Sequence, residues 1–391
     1  MKSGNKWLIS FLHAFVLLLL TAWWINSDYT YGDERMLIQQ ASIFKRVVLG
    51  LDEDPPKKDF LFINLAHDKA LIPIADGLGN DVITDREKLA SFFEIFKRHQ
   101  KEIRFGLCDV FLKGHSDYDV QLERSVAGIH NIIFPTHYDE NGKVEPLSLR
   151  VPHAMADYRM ANSGFFKFKL FQNDSIPSIP VYLYQQLTGN HFTWLYGWPM
   201  DNGRLTMNSM IIDYPIRSYE LFQQAEYPVV NLSELMILPE QTIVNEFLKN
   251  RIVLLGDFEN DVHDTIYGKT PGTLILLNVY LTMMSGRHLV SLWWLLFLIG
   301  GYTIFSRLML FPQYGKAKHM RWFAPLLASA TFLAFLSVIS YLMFHQPVQV
   351  LVLTIYINFL RFLIQLRQQE WNRHKLKEYL INLRETYLNF K

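Results

Sequence analysis

The chain has 391 residues, half of them hydrophobic, with 38 basic and 37 acidic residues and a formal net charge of +1. That balance excludes a global field that would gather nucleic acid or an acidic substrate. The single cysteine, Cys108, excludes an intrachain disulfide and a cysteine-rich metal site; in the run RFGLCDVF it reads as a small buried hydrophobe.

The first apolar block, residues 7–25 (WLISFLHAFVLLLLTAWWI), carries no charge and has the length of a bilayer crossing, about 20 residues. Lys2 and Lys6 precede it, and it ends in Trp-Trp rather than in a small-residue cleavage site, so it reads as an uncleaved anchor rather than a signal peptide.

The segment that follows alternates short apolar runs with helical patterns. FLFINLA (60–66) predicts a strand. DREKLASFFEIFKRHQ (85–100) predicts a helix with Leu89, Phe92, Phe93 and Phe96 on one face. IRFGLCDVF (103–111) predicts a strand, DYDVQLERSVAGI (117–129) a helix, and HNIIFPT (130–136) a third strand. KNRIVLLGD (249–257) is a further strand, and PGTLILLNVYLTMMSG (271–286) a helix expected to run unbroken into the next span. Strands alternating with helices indicate βαβ units and a mainly parallel or mixed sheet.

Ligands of such sheets bind beyond the carboxyl ends of the strands. The first strand ends near His67, Asp68 and Lys69, the second at Asp109, and RIVLLG at Asp257, followed by Asp261, His263 and Asp264. If these strands are neighbours, their ends form one polar rim. A carboxylate at the end of a buried strand needs a partner, and Arg86 on the preceding helix is the expected one for Asp109. Thr265, Pro271 and Gly272 fit a turn before the last helix, with Gly272 allowing close backbone approach, and Asn278 is expected to bond to the loop and fix it. The acids could hold a divalent ion, or simply cap strand ends and pair with Arg86 or Lys269. No HExxH, GxSxG or P-loop pattern occurs, and no metal, cofactor or catalytic residue is assigned. YGWPMDNGR (196–204), with Trp194, is an aromatic cluster that either covers a sheet or offers a platform to a sugar or partner.

Hydrophobicity returns at 288–311, 323–344 and 348–366. Lys316, Lys318 and Arg321 lie in the 312–322 connector, and Arg367, Arg373, Lys375 and Lys377 follow the last block, whereas the HQP turn between the third and fourth has no Lys or Arg. The positive-inside rule then puts both termini in the cytoplasm and the 28–287 segment outside it. The 367–391 tail places Leu376, Leu380, Leu383 and Tyr387 on one face of a basic helix, suited to the inner leaflet, self-association or a cytoplasmic partner. The organisation is thus 1–27 (cytoplasmic end and first span), 28–287 (extracytoplasmic α/β domain), 288–366 (three spans) and 367–391 (tail).

Residues 31–289 resemble the second type of CHASE domain, an extracytoplasmic sensory domain associated with cyclases and histidine kinases. FLFINLAHDKALI, the 83–113 stretch with Arg86 and Asp109, DYDVQLERSV, and above all LKNRIVLLGDFENDVHDTIYGKTPGTLILLNVYLTMMSG carry the resemblance. The family's tryptophan-proline stretch is replaced by VITD, and the family's usual C-terminal output enzyme is not expected here. The resemblance implies a multi-pass sensor of the bacterial inner membrane, not an enzyme. Its periplasm-facing domain would bind a small ligand or an envelope protein and act on a separate cytoplasmic signalling protein, with a homo-oligomer as one form it can take and with Asp68, Arg86, Asp109, Asp257, His263, Asp264, Thr265 and Asn278 as candidate binding or structural residues. The alternatives are a structural or assembly subunit of an envelope complex and a metal-dependent envelope enzyme.

Overall fold

The computed structural model describes residues 3–25, 32–48, 50, 55–73, 79–112, 114–139, 141–145, 147, 149–157, 167–172, 177–224, 226–311 and 323–367. The 312–322 connector and the amphipathic tail beyond 367 lie outside the described residues. The chain divides into two compact units. One comprises residues 1–24, 31–41 and 291–391, the other residues 25–30 and 42–290.

The first unit holds four helices long and apolar enough to cross a membrane: Gly4–Ile25, Leu292–Leu310, Leu327–Phe344 and Val350–Arg367. These follow the four apolar blocks of the sequence. Exposed Leu19, Trp23, Trp293, Leu327 and Phe335 leave an apolar exterior, as lipid-facing helices require. Polar side chains meet between the helices: His13 Nδ1 lies 2.8 Å from Ser306 Oγ and its Nε2 3.2 Å from Tyr356 Oη, while Thr21 and Tyr302 share a hydrogen bond. In hydrocarbon such groups are satisfied only by one another.

The second unit is built on a six-stranded sheet. Its strands in chain order are β1 (Phe60–Asn64), β2 (Phe105–Asp109), β3 (Ile132–Thr136), β4 (His153–Met155), β5 (Val229–Asn231) and β6 (Ile252–Gly256). The spatial order is β5-β1-β6-β2-β3-β4, with every neighbouring pair parallel. β6 therefore sits between β1 and β2, the arrangement that joins the three predicted strand ends into one rim. Its residues are buried throughout, because a strand inside a parallel sheet is covered on both faces and must be apolar at every position.

Successive side chains point to opposite faces. Phe60, Phe62, Phe105, Leu107, Ile133 and Leu254 pack with the helices Ile179–Thr188 and Gly272–Met284. Leu61, Ile63, Cys108, Ile132, Phe134, Val253 and Leu255 pack on the other face with the helices Arg86–Arg98 and Asp119–Val126. Cys108 is fully buried there, as its setting predicts. Asp85 caps the Arg86–Arg98 helix by accepting from the Glu87 and Lys88 amides, and Leu89, Phe92, Phe93 and Phe96 form its buried face. Each such side chain contributes roughly 1.5–3 kcal/mol by burial.

One expectation is overturned. The last helix does not continue into the second span. Gly272–Met284 is capped at Ser285, Gly286 takes φ 73°, and Leu289 bridges to Thr206 before the next helix starts at Leu292. Glycine reverses the chain here as it does after many helices, and 288–290 are spent on pairing with the 205–207 segment.

Candidate functional site

A pocket of about 610 Å³ opens at the carboxyl edge of the sheet, a volume suited to a small molecule. Leu65 follows β1, Asp109 closes β2, His137 follows β3, Asp157 lies just past β4 and Asp257 follows β6; all line the pocket. Lys69, Asp81 and Thr84 reach it from the hairpin of Lys69–Pro73 and Asn80–Thr84, and Asp261 and His263 from the loop and hairpin after β6.

Asp109 stands half-buried in the pocket wall at the end of β2. Thr273 Oγ1, at the start of the Gly272–Met284 helix, donates to its Oδ2 at 2.9 Å. Burial, together with the charge of Asp261, pushes its pKa up to about 6, against the Thr273 bond and the pull of His137 and His263. Two His–Asp pairs face it. His137 Nδ1 lies 2.6 Å from Asp157 Oδ1, and His263 Nε2 lies 3.0 Å from Asp261 Oδ1. Burial lowers the His137 pKa, but the bond and charge of Asp157, with Asp109 and Glu145, outweigh it and leave it above the ordinary value. Lys69 Nζ bonds Asp257 Oδ2 at 2.8 Å; burial opposes ionisation of Asp257, yet Lys69 and the Asn260 amide hold its pKa below the usual range.

Two glycines make this packing possible. A Cβ on Gly256 would lie 2.0 Å from Thr273 Oγ1, and one on Gly272 would lie 2.6 Å from Asp261 Oδ2 and 3.3 Å from His263 Nε2. Only a bare backbone lets the end of β6 and the helix start approach so closely.

The structure sorts the sequence candidates. Asp109, Asp257, His263 and Arg86 line the pocket together. Arg86 does not pair with Asp109, however: its guanidinium binds Asp119 and donates to the Gly114 carbonyl at 3.2 Å, because the Asp119–Val126 helix start lies nearer than the end of β2. Asp68 is fully buried outside the pocket lining, paired with Lys88 at 2.8 Å and Ser233. Asp264 is exposed on the hairpin strand Val262–Thr265, opposite Lys269 in register, and Thr265 donates to the Gly268 carbonyl at 2.7 Å to close that hairpin. Asn278 bonds a loop, but not the one before its own helix. Its Oδ1 accepts from the Ile216 amide at 3.0 Å and its Nδ2 donates to the Ile216 carbonyl at 2.8 Å.

Sequence reasoning missed His137, Asp157 and Thr273. His137 directly follows a strand that was recognised, so the strand-end rule reaches it. β4 has only three residues, too few for alternation to show, so Asp157 had no such signal.

Beyond the pocket, the contacts continue along the Gly272–Met284 helix. Thr273 touches Asp109, Asn278 holds Ile216, and Thr282 Oγ1 accepts from the Asp213 amide at 3.2 Å. The Asp213 carboxylate binds both Lys45, at 3.6 Å, and Arg287. Lys45 follows the first span in sequence and Arg287 precedes the second. Among the described residues, no three His, Cys, Asp or Glu side chains are placed to hold a metal ion. Compared with family models, curated proteins and solved structures, the chain finds no match.

Proposed function

We propose that this is a membrane-anchored sensor whose 28–287 domain lies outside the cytoplasm and binds a small polar ligand at the carboxyl edge of its sheet. The observation that carries this reading is the pocket itself: the ends of four parallel strands bring Asp109, His137, Asp157 and Asp257 to one cavity, with His263 and Asp261 closing over them. Such an edge is where open parallel sheets bind their ligands. The resemblance of residues 31–289 to the second type of CHASE domain supports the same reading, as does the excess of Lys and Arg in 312–322 and after 366, which favours cytoplasmic termini.

The signal route in this proposal differs from a continuous rod. A ligand that draws on Asp109 shifts Thr273 and the Gly272–Met284 helix, and that helix carries Asn278 and Thr282, which hold the Ile216 and Asp213 backbone. Asp213 then alters its grip on Lys45 and Arg287, which stand on the two segments by which the domain joins its spans. A separate cytoplasmic protein, met by the basic tail, receives the change.

The test is a thermal melt of the full chain in lipid nanodiscs against a panel of small polar compounds. A true ligand at a hundredfold excess over its Kd stabilises by about 2.7 kcal/mol. The reading holds if a compound gives such a saturable rise in the wild-type chain and loses it in Asp109→Asn and His263→Ala. It fails if every shift survives in both variants.

A further inference from the structure

Within the unit that holds the spans, Arg307 stands one turn from the end of the Leu292–Leu310 helix, and Lys6 and Trp7 lie in the first turn of Gly4–Ile25. At a rise of about 1.5 Å per residue, all three are within roughly 5 Å of a span end. They meet around Phe311, the residue that follows the second span. The Arg307 guanidinium lies 5.6 Å from the centre of the Phe311 ring and 5.7 Å from that of Trp7, and Lys6 Nζ lies 5.9 Å from that of Phe311. Two cations from two helices are thus gathered at one ring. Like charges so placed repel unless an anion lies with them.

The spans supply no anion. Residues 1–27 and 291–369 contain no Asp or Glu. The nearest acids in sequence are Asp28, past the far end of the first span, and Glu370, past the fourth, where Arg367, Arg373, Lys375 and Lys377 outnumber it. Ring faces attract a cation but offer no oxygen to its N–H groups. A guanidinium carries five N–H donors. Arg307 donates from Nη1 to the Phe311 carbonyl at 3.2 Å, and its Nε is buried and meets no acceptor among the described residues. At the edge of a hydrocarbon layer such a charge needs an oxygen partner. The surroundings say where that partner comes from. Trp7, Leu8 and Leu308 beside the cations are all exposed and apolar, so an anion that reaches Arg307 from the outside of the bundle arrives among acyl chains.

We propose that Arg307 and Lys6 form a binding site for the phosphate of an anionic lipid, at the end of the span unit where the first helix starts and the second finishes. Arg307 supplies the planar fork of donors that suits phosphate oxygens, Lys6 adds a second charge, and Trp7 sits at the level where interfacial aromatics settle. Two cations without an acid favour a lipid of net negative charge over a zwitterionic one, whose ammonium group they repel. Phosphates line both leaflets, so the site serves either orientation of the chain and owes nothing to the ligand of the sheet-edge pocket.

The experiment is native mass spectrometry of the full chain released from detergent micelles doped with equal amounts of phosphatidylglycerol and phosphatidylcholine. The expected result is that the wild-type chain retains phosphatidylglycerol in preference to phosphatidylcholine. Arg307→Gln should reduce that preference by about tenfold or more, Lys6→Gln should reduce it less, and Lys318→Gln in the connector should leave it unchanged. Lys6→Gln keeps the helix and its length, so it decides the test where Arg307→Gln does not fold. Equal retention of the two lipids by the wild-type chain overturns the proposal. A preference that survives both Arg307→Gln and Lys6→Gln also overturns it, since the connector or the tail then holds the lipid. Loss of the retained phosphatidylglycerol to millimolar inorganic phosphate overturns it likewise and assigns the site to a free anion.

Discussion

Asp109 shows how a single carboxyl can be both a site and a liability. Folded, it keeps its proton up to about pH 6, whereas an unfolded aspartate loses it near pH 4. The folded state therefore binds more protons than the unfolded one in between, and its stability falls as pH rises through that window. Below both values the penalty is absent, and above about pH 6 it is complete. Asp109→Asn keeps an oxygen for Thr273 and removes the charge. The variant is expected to be more stable than wild type by about 2 kcal/mol at about pH 8, after allowance for the opening of the carboxyl into the pocket, with the gain vanishing near pH 4. Denaturant melts across pH measure it, and a pH-independent difference would show that Asp109 is not the titrating group. The position of Asp109 at a strand end was legible in the sequence. Its partner was not: Arg86 and Asp109 are both pocket residues, but which acid a guanidinium meets depends on how the Asp119–Val126 helix docks, and no local pattern encodes that.

At the scale of elements, the strands and helices with strong periodicity were legible and the joints were not. Only Ser285, Gly286, Arg287 and His288 separate the apolar helix from the apolar run that starts at Leu289, so continuity of the helix into the span was the natural reading. Gly286 and the long-range pairing of 288–290 with 205–207 decide otherwise, and neither leaves a periodic trace. The junction of β6 with the Gly272–Met284 helix is the joint on which the pocket depends. Gly256→Ala forces a Cβ against Thr273 Oγ1 and must displace the helix start or the strand end, at a cost of about 1–3 kcal/mol. Gly272→Ala meets only the movable ends of Asp261 and His263, so its stability loss is expected to be smaller while the geometry of the pocket still changes. Melting both variants in parallel checks the order. An equal or reversed loss would mean that the contact at Gly256 relaxes freely.

For the whole molecule, composition alone separated four apolar spans from one large α/β unit, because a bilayer crossing imposes a length and an apolarity that no soluble helix needs. The parallel sheet was legible from alternation of strand and helix, though the placing of β5 at one edge and the small antiparallel sheets was not, since their strands run only two to five residues and carry too little pattern. The proposed topology makes a direct prediction. A fluorescent reporter that matures only in the cytoplasm should glow when inserted in the 312–322 connector, and a phosphatase active only outside should work when fused after residue 249. The opposite pair of results inverts the orientation drawn from the basic residues.

The position of β6 has a consequence for how the chain is made. β1 and β2 emerge early in synthesis, but the strand that separates them comes about 190 residues after the first of them. Until Ile252–Gly256 arrives, β1 and β2 each present an open hydrogen-bonding edge with nothing native to fill it. The nascent domain must therefore wait, incomplete, through most of its own elongation, and its assembly is a late event keyed by one short apolar segment. The same strand delivers the Gly256 contact with Thr273, so the pocket comes into being at the moment the sheet closes, and no half-built intermediate carries it.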